Sequence, residues 1–171
     1  IEYQNHIFDA IMAAGAEFGI KPFGIRAMDA MRLEKSYRLV GTELSIEYAA
    51  LESGLHRFVH LNKGEFKGRQ KLSQWQESGF ANTMVTLEVH DTTDADAIGG
   101  NPIRLPDGSV IGRATSGGYG FRLNKSLALA MVRPELAAVG TELMIDILDQ
   151  RLRATVLEES PYDPDNVRLC A

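Results

Sequence analysis

Apolar residues recur at helical spacing up to about Gly79 and close to every second position after it. In the first stretch Ile7, Ile11, Ala14 and Phe18 follow one another at spacings of four, three and four. That predicts a helix over roughly 6–18, capped by Asn5 and ended by Gly15, Gly19 and Pro22. A second helix is predicted from about Ile25 to Tyr37. Ile25, Met28 and Met31 form its apolar stripe, and Arg32, Lys35 and Arg38 its charged one. Such mixed character suggests a helix held between two layers. A third, short helix fits Gly68 to Ser78, with Leu72 and Trp75 at i,i+3 and Gly79 as its stop.

Beyond Gly79 the pattern is that of strands. Val85, Leu87 and Val89 alternate with Thr86, Glu88 and His90. Pro102 to Leu105 and Ser109 to Thr115 flank the turn sequence Pro106-Asp107-Gly108. Residues 126–132 are almost continuously apolar, as in a strand buried on both faces. Leu143, Ile145 and Ile147 alternate with Met144, Asp146 and Leu148, and Asp149-Gln150 links them tightly to Leu152, Ala154 and Val156. About six short strands at regular spacing argue for a small antiparallel barrel or sandwich. The expected fold class is α+β, divided into residues 1–79 and 80–171.

Composition narrows the field. The 171 residues are 44% hydrophobic and 24% charged, as in a folded protein rather than a disordered or collagen-like one. A single cysteine, Cys170, rules out an internal disulfide framework and a cysteine-rich zinc site. No apolar run approaches the ~18 residues of a membrane span, and the first residues lack a signal-peptide pattern. The expected setting is cytoplasmic, without a membrane partner. The chain does not begin with Met and reads as a piece of something longer.

Charge is uneven. Residues 1–80 carry ten basic and ten acidic side chains, whereas residues 81–171 carry eight against thirteen and hold the whole net −5. That surface would repel a phosphate backbone, so no nucleic-acid partner is expected.

The candidate chemistry is sparse. His56 and His60 share an i,i+4 spacing but have no third ligand arranged around them, so no metal site is expected. Ser116-Gly117-Gly118-Tyr119-Gly120 lacks the Lys-Ser/Thr ending of a phosphate loop and reads first as a wide turn needing positive φ. A second reading lets a ligand approach its bare backbone and stack on Tyr119. Asp29 and Arg32 can pair at i,i+3, with Glu34 and Lys35 extending an ion network. There is no nucleophile dyad. The double-proline segment Ser160 to Asn166 delivers Arg168 to a fixed place, where it can clamp a ligand carboxylate or simply lie on the surface.

The motif string goes further. Ala27-Met28-Asp29-Ala30-Met31-Arg32-Leu33-Glu34-Lys35 with Tyr37 and Gly41 resembles the Ala-x-Asp-x-Leu-Arg-x-Glu-Lys-Gly-Tyr stretch of the aminomethyltransferase superfamily. That superfamily includes the glycine-cleavage T-protein and the folate-binding region of dimethylglycine and sarcosine dehydrogenases and oxidases. Ala50-Leu51-Glu52-Ser53-Gly54-Leu55 and Lys63-Gly64-Glu65-Phe66-Lys67-Gly68-Arg69 are similar to the next two blocks. Thr115 to Gly120, Lys125 to Ala130, and Pro161-Tyr162-Asp163-Pro164 with Asn166 and Arg168 are similar to the barrel and tail signatures.

The resemblance covers the whole chain in order and implies the C-terminal half of the family's domain. The fold it implies is a partial folate-binding α+β layer followed by a six-stranded antiparallel Greek-key β-barrel. The activity it implies is tetrahydrofolate-dependent transfer of a one-carbon unit from a small N-methyl or S-methyl substrate. The catalytic aspartate of the family belongs to the N-terminal half of the fold, which is the implied partner, so no catalytic residue is assigned here. Arg168, Tyr119 and Arg26 are the expected folate-facing residues. Met28 stands where the glycine-cleavage branch has an arginine, while Lys35, Tyr37 and Tyr162-Asp163-Pro164 suit the dimethylglycine and sarcosine branch, with FAD in an upstream domain. A folate-dependent sulfonium demethylase, a glycine-cleavage aminomethyltransferase and a non-catalytic barrel binding module are the alternatives.

Overall fold

The computed structural model describes residues 1–92 and 94–170. Three helices precede the barrel: α1 (Gln4–Gly15), α2 (Ile25–Glu34) and α3 (Arg69–Ser78). Six strands follow: β1 (Thr83–Val89), β2 (Pro102–Arg104), β3 (Val110–Gly120), β4 (Lys125–Val132), β5 (Glu142–Ile147) and β6 (Gln150–Leu157). They close into an antiparallel barrel in the order β1-β4-β3-β2-β5-β6. Strands β2, β3 and β4 are sequential neighbours and β5 returns beside β2, which is a Greek key. Closure gives every strand a neighbouring strand on each side.

The period-two residues fill the barrel. Val85, Leu87, Ile103, Ile111, Leu143, Ile145 and Val156 point into one core. Strand β4 is buried on both faces, as its continuous apolar run requires. Ala128, Ala130 and Val132 face the interior, while Leu127 and Leu129 face outward and are covered by Leu33 of α2. That contact fixes α2 on the outer surface of β3 and β4.

The helices depart from the sequence pattern in four respects. Asn5 lies inside α1 rather than capping it, and the cap position, Tyr3, makes no side-chain capping bond. Ile7, Phe8 and Ile11 are each more than half exposed, because no described residue packs against that stripe. Helix α2 stops at Glu34, because Ser36 takes a left-handed backbone (φ 54°) and Tyr37 donates its N–H to Arg32 O at 2.8 Å. Its layering is also one-sided: Leu33 faces the barrel, while Met28 and Met31 face away from it and stay half-exposed.

The glycine-rich string is not a turn. Gly117, Gly118 and Gly120 lie within β3, and none has positive φ. Their value is thinness. A Cβ on Gly117 would fall on the backbone carbonyl of Ala97 and 2.6 Å from its Cβ, because segment 97–101 lies across the strand. Gly100 N–H donates to Ala114 O at 2.9 Å, and Ala114 N–H to Asn101 O at 2.8 Å. On Gly118 and Gly120 a Cβ would meet Leu33 and Glu34 of α2, each at 3.0 Å. Gly117→Val should therefore cost about 1–3 kcal/mol of stability, read as a lower urea midpoint. An unchanged midpoint would show that segment 97–101 yields freely.

Candidate functional site

A set of polar contacts ties the end of helix α2 and the residues just after it to the C-terminal turn. Tyr162 N–H donates to Glu34 O at 3.0 Å. Ser160 donates its N–H to Ser36 Oγ at 3.0 Å and its hydroxyl to Lys35 O at 2.7 Å. Lys35 Nζ donates to Asp163 O at 2.5 Å and to Asn166 Oδ1 at 2.7 Å. Ser160, Asp163 and Asn166 all take left-handed φ, which winds the turn tightly enough to bring Arg168 N–H to the Asp163 carboxylate at 3.2 Å. The double-proline segment is thus a built element rather than a loose tail.

Between helix and turn lies an open cavity of 460 Å³, within the range of small-molecule sites. Met28, Met31 and Tyr37 line it from the helix side, and Tyr162, Arg168 and Leu169 from the turn. Arg122, from the turn after β3, adds a third side. The walls are therefore mainly apolar and aromatic, with cationic groups among them.

A buried carboxylate sets the helix side. Glu43 is fully buried and takes donors on both oxygens. Thr115 and Ser116 hydroxyls donate to Oε1 at 2.5 and 2.6 Å. Leu39 N–H and the Thr42 hydroxyl donate to Oε2 at 2.9 and 2.7 Å, with Arg32 at 3.4 Å. Successive strand residues normally face opposite ways. Here β3 carries a bulge between Ala114 and Ser116, and the disrupted register lets both hydroxyls reach one oxygen. Burial pushes the Glu43 carboxyl up, but the bonds from Ser116, Thr115, Leu39 and Thr42 outweigh it and hold the group below its ordinary value. Arg32, which also lines the cavity, is fixed from the other side by Asp29 at 2.6 Å.

A second buried carboxylate sets the barrel side. Glu34 Oε1 accepts the backbone N–H groups of Arg122 at 2.6 Å and Leu123 at 3.3 Å, pinning that turn to α2.

Of the residues expected to face a ligand, Arg168 lines the cavity, and Tyr119 and Arg26 do not. Tyr119 is exposed on β3 with its ring edge-on to Phe121, centroids 5.1 Å apart. Arg26 is exposed in the first turn of α2. His56 sits in a short 3-10 turn, and both His56 and His60 are exposed. No group of three or more metal-ligating side chains occurs among the described residues. Sequence reasoning missed Glu43 and Arg122. Glu43 is not singled out by its local pattern, because the two hydroxyls that hold its Oε1, those of Thr115 and Ser116, stand 72 and 73 positions away. Arg122 looks like any hairpin cation until Glu34 is seen to hold its backbone.

Two family profiles match the chain. Residues 1–63 match the family profile described as the GCVT N-terminal domain. Residues 82–163 match the glycine cleavage T-protein C-terminal barrel domain. Human mitochondrial dimethylglycine dehydrogenase is 40% identical over 154 residues, 90% of this chain and 18% of that protein. An aminomethyltransferase of Moorella thermoacetica is 38% identical over 148 residues, 86% of this chain and 40% of that protein. The chain thus spans less than half the length of these curated relatives. The fold matches the crystal structure of glycine cleavage system aminomethyltransferase T from Bartonella henselae. There the TM-score is 0.74 and the identity 22%, covering 81% of this chain and 38% of that one. The chain therefore belongs to the glycine-cleavage T-protein (aminomethyltransferase) family and contains the family's C-terminal barrel.

Proposed function

We propose that this chain forms one side of a tetrahydrofolate site in a one-carbon transferase, within a demethylating oxidoreductase of the dimethylglycine or sarcosine type. The cavity between α2 and the C-terminal turn carries the reading. Its residues fit the proposed ligand. Met28, Met31 and Leu169 offer apolar surface, Tyr37 and Tyr162 offer flat faces, and Arg168 offers a guanidinium for a carboxylate. Tetrahydrofolate, when bound, supplies the amine nitrogen that accepts the one-carbon unit.

The contribution of this chain is positioning. Lys35 and Ser160 hold the turn wall, Glu43 holds Arg32 in the helix wall, and Glu34 holds the Arg122 turn. Rigid walls lower the entropic cost of aligning a ligand with its reaction partner. Tyr119 and Arg26 stay in the proposal as exposed, folate-facing groups outside the cavity lining. The proposal also includes a small N-methyl or S-methyl donor, an upstream FAD domain, a cytoplasmic setting, and the rest of the fold as cover for the exposed stripe Ile7, Phe8 and Ile11. No helix among the described residues is long and apolar enough to cross a membrane.

A glycine-cleavage aminomethyltransferase is the second reading, favoured by the 38% identity to the Moorella protein. It shares the folate site and differs in the donor. Supplying dimethylglycine and an aminomethyl carrier in turn to the full-length protein separates the two.

Isothermal titration of the full-length protein with tetrahydrofolate tests the site. Saturable binding is expected, and Arg168→Ala should weaken it about tenfold, the order expected for a lost charge-assisted bond. Unchanged affinity would remove Arg168 from the site, and no binding by the unaltered protein would overturn the folate reading.

A further inference from the structure

Four cationic side chains line the cavity, and two of them are committed. Arg32 is held by Asp29 and Glu43, and Lys35 by Asp163 and Asn166. The two lining carboxylates are committed as well. Glu34 accepts the backbone of residues 122 and 123, and Asp163 accepts the Arg168 N–H and lies 4.0 Å from Lys35 Nζ. What remains is Arg168 and Arg122. The Arg168 guanidinium only grazes Tyr162, 3.5 Å from its hydroxyl and 6.0 Å from its ring centre. The Arg122 guanidinium has no hydrogen-bond or ion-pair partner among the described residues. A chain of net charge −5 thus gathers two uncommitted guanidinium groups around one largely apolar cavity.

We infer that Arg122 is a specificity residue of this cavity, and that with Arg168 it receives the two carboxylates of a dicarboxylate tail on a flat-ringed ligand. This rests on the folate reading, since the glutamate of tetrahydrofolate is such a tail. Arg122 reaches the cavity from the barrel turn that Glu34 pins, and Arg168 from the C-terminal turn that Lys35 holds. The two guanidinium groups stand on independent supports, so each takes its own carboxylate. A planar guanidinium is suited to bind a carboxylate through two parallel N–H bonds. The mixed walls leave the ring system to Met28, Met31 and the tyrosines.

The test compares two probes in isothermal titrations of the full-length protein. Tetrahydrofolate carries the glutamate tail, and tetrahydropteroate has the same rings without it. The unaltered protein is expected to prefer tetrahydrofolate by at least about tenfold, and the preference should shrink as salt is raised. Arg122→Gln should lower tetrahydrofolate affinity about tenfold while leaving tetrahydropteroate nearly unchanged, and Arg122→Lys should restore part of the difference. An Arg122→Gln variant that keeps the full preference, or that loses both probes equally, overturns the assignment. If neither probe binds the unaltered protein, the folate reading itself falls and this assignment with it. If both bind but without preference, only this assignment falls.

Discussion

Replacing Glu43 by alanine is expected to remove about 3–5 kcal/mol of stability at neutral pH, the usual cost of breaking a buried charged network. Five donors lose their acceptor at once: the Thr115, Ser116 and Thr42 hydroxyls, the Leu39 N–H and Arg32. The buried Ser116 hydroxyl is left without an acceptor and carries the desolvation cost, whereas the Thr115 and Thr42 hydroxyls each keep a backbone acceptor, Leu129 O at 3.1 Å and Leu39 O at 3.0 Å. Arg32 then keeps only Asp29 and the carbonyl of Tyr37, and the helix wall of the cavity loosens.

The effect depends on pH in a stated direction. The folded carboxyl lies below its ordinary value of 4.5, so its contribution is complete above that pH. It is lost as pH falls through the lower folded-state value. Urea unfolding curves of the two proteins should therefore differ by a constant amount near neutrality and converge in acid. A Glu43→Ala protein as stable as the parent at pH 7, or a gap that widens in acid, would contradict this account.

Leu33→Ala should cost about 2–5 kcal/mol, as for a fully buried leucine whose site cannot collapse. Leu33 joins α2 to the barrel through Leu127 and Leu129, across a surface made flat by Gly118. Its loss should register twice. The urea midpoint falls, and tetrahydrofolate binding weakens because α2 carries Met28, Met31 and Arg32 into the cavity. Leu148→Ala, at a position 80% exposed, is the control and should change stability by less than about 0.5 kcal/mol. Equal effects of the two substitutions would mean that α2 is not held through Leu33.

The barrel was easy to read because its rule is local. Alternation with inward Val, Leu and Ile marks β1, β5 and β6, Pro106-Asp107-Gly108 marks the hairpin between β2 and β3, and the apolar run of β4 announces burial on both faces. The helices were legible in type but less so in extent. Ile25 to Tyr37 has helical periodicity, yet α2 ends at Glu34 because the Ser36 hydroxyl shares a hydrogen bond with the Thr86 hydroxyl at 2.6 Å and accepts the N–H of Ser160. Those partners lie 50 and 124 residues away. The glycine-rich string misled for a similar reason. Glycine in a turn and glycine under a crossing segment look alike until Ala97 and Leu33 are placed against it.

By itself the sequence determined the order of helices and strands, the class of the fold, the acidic barrel half and the family resemblance. Each of these depends on neighbours within a few positions or on a motif read in order. Only the tertiary structure brought the residues of the candidate cavity together. Glu43 gains its role from a bulge that breaks the alternation of β3, Arg122 from a buried glutamate on another element, and Arg168 from a turn held by Lys35. Hydrogen bonds and ion pairs act only over a few ångströms, so long-range chain closure alone can bring these groups together. Their chemistry is present in the sequence, but their juxtaposition is not.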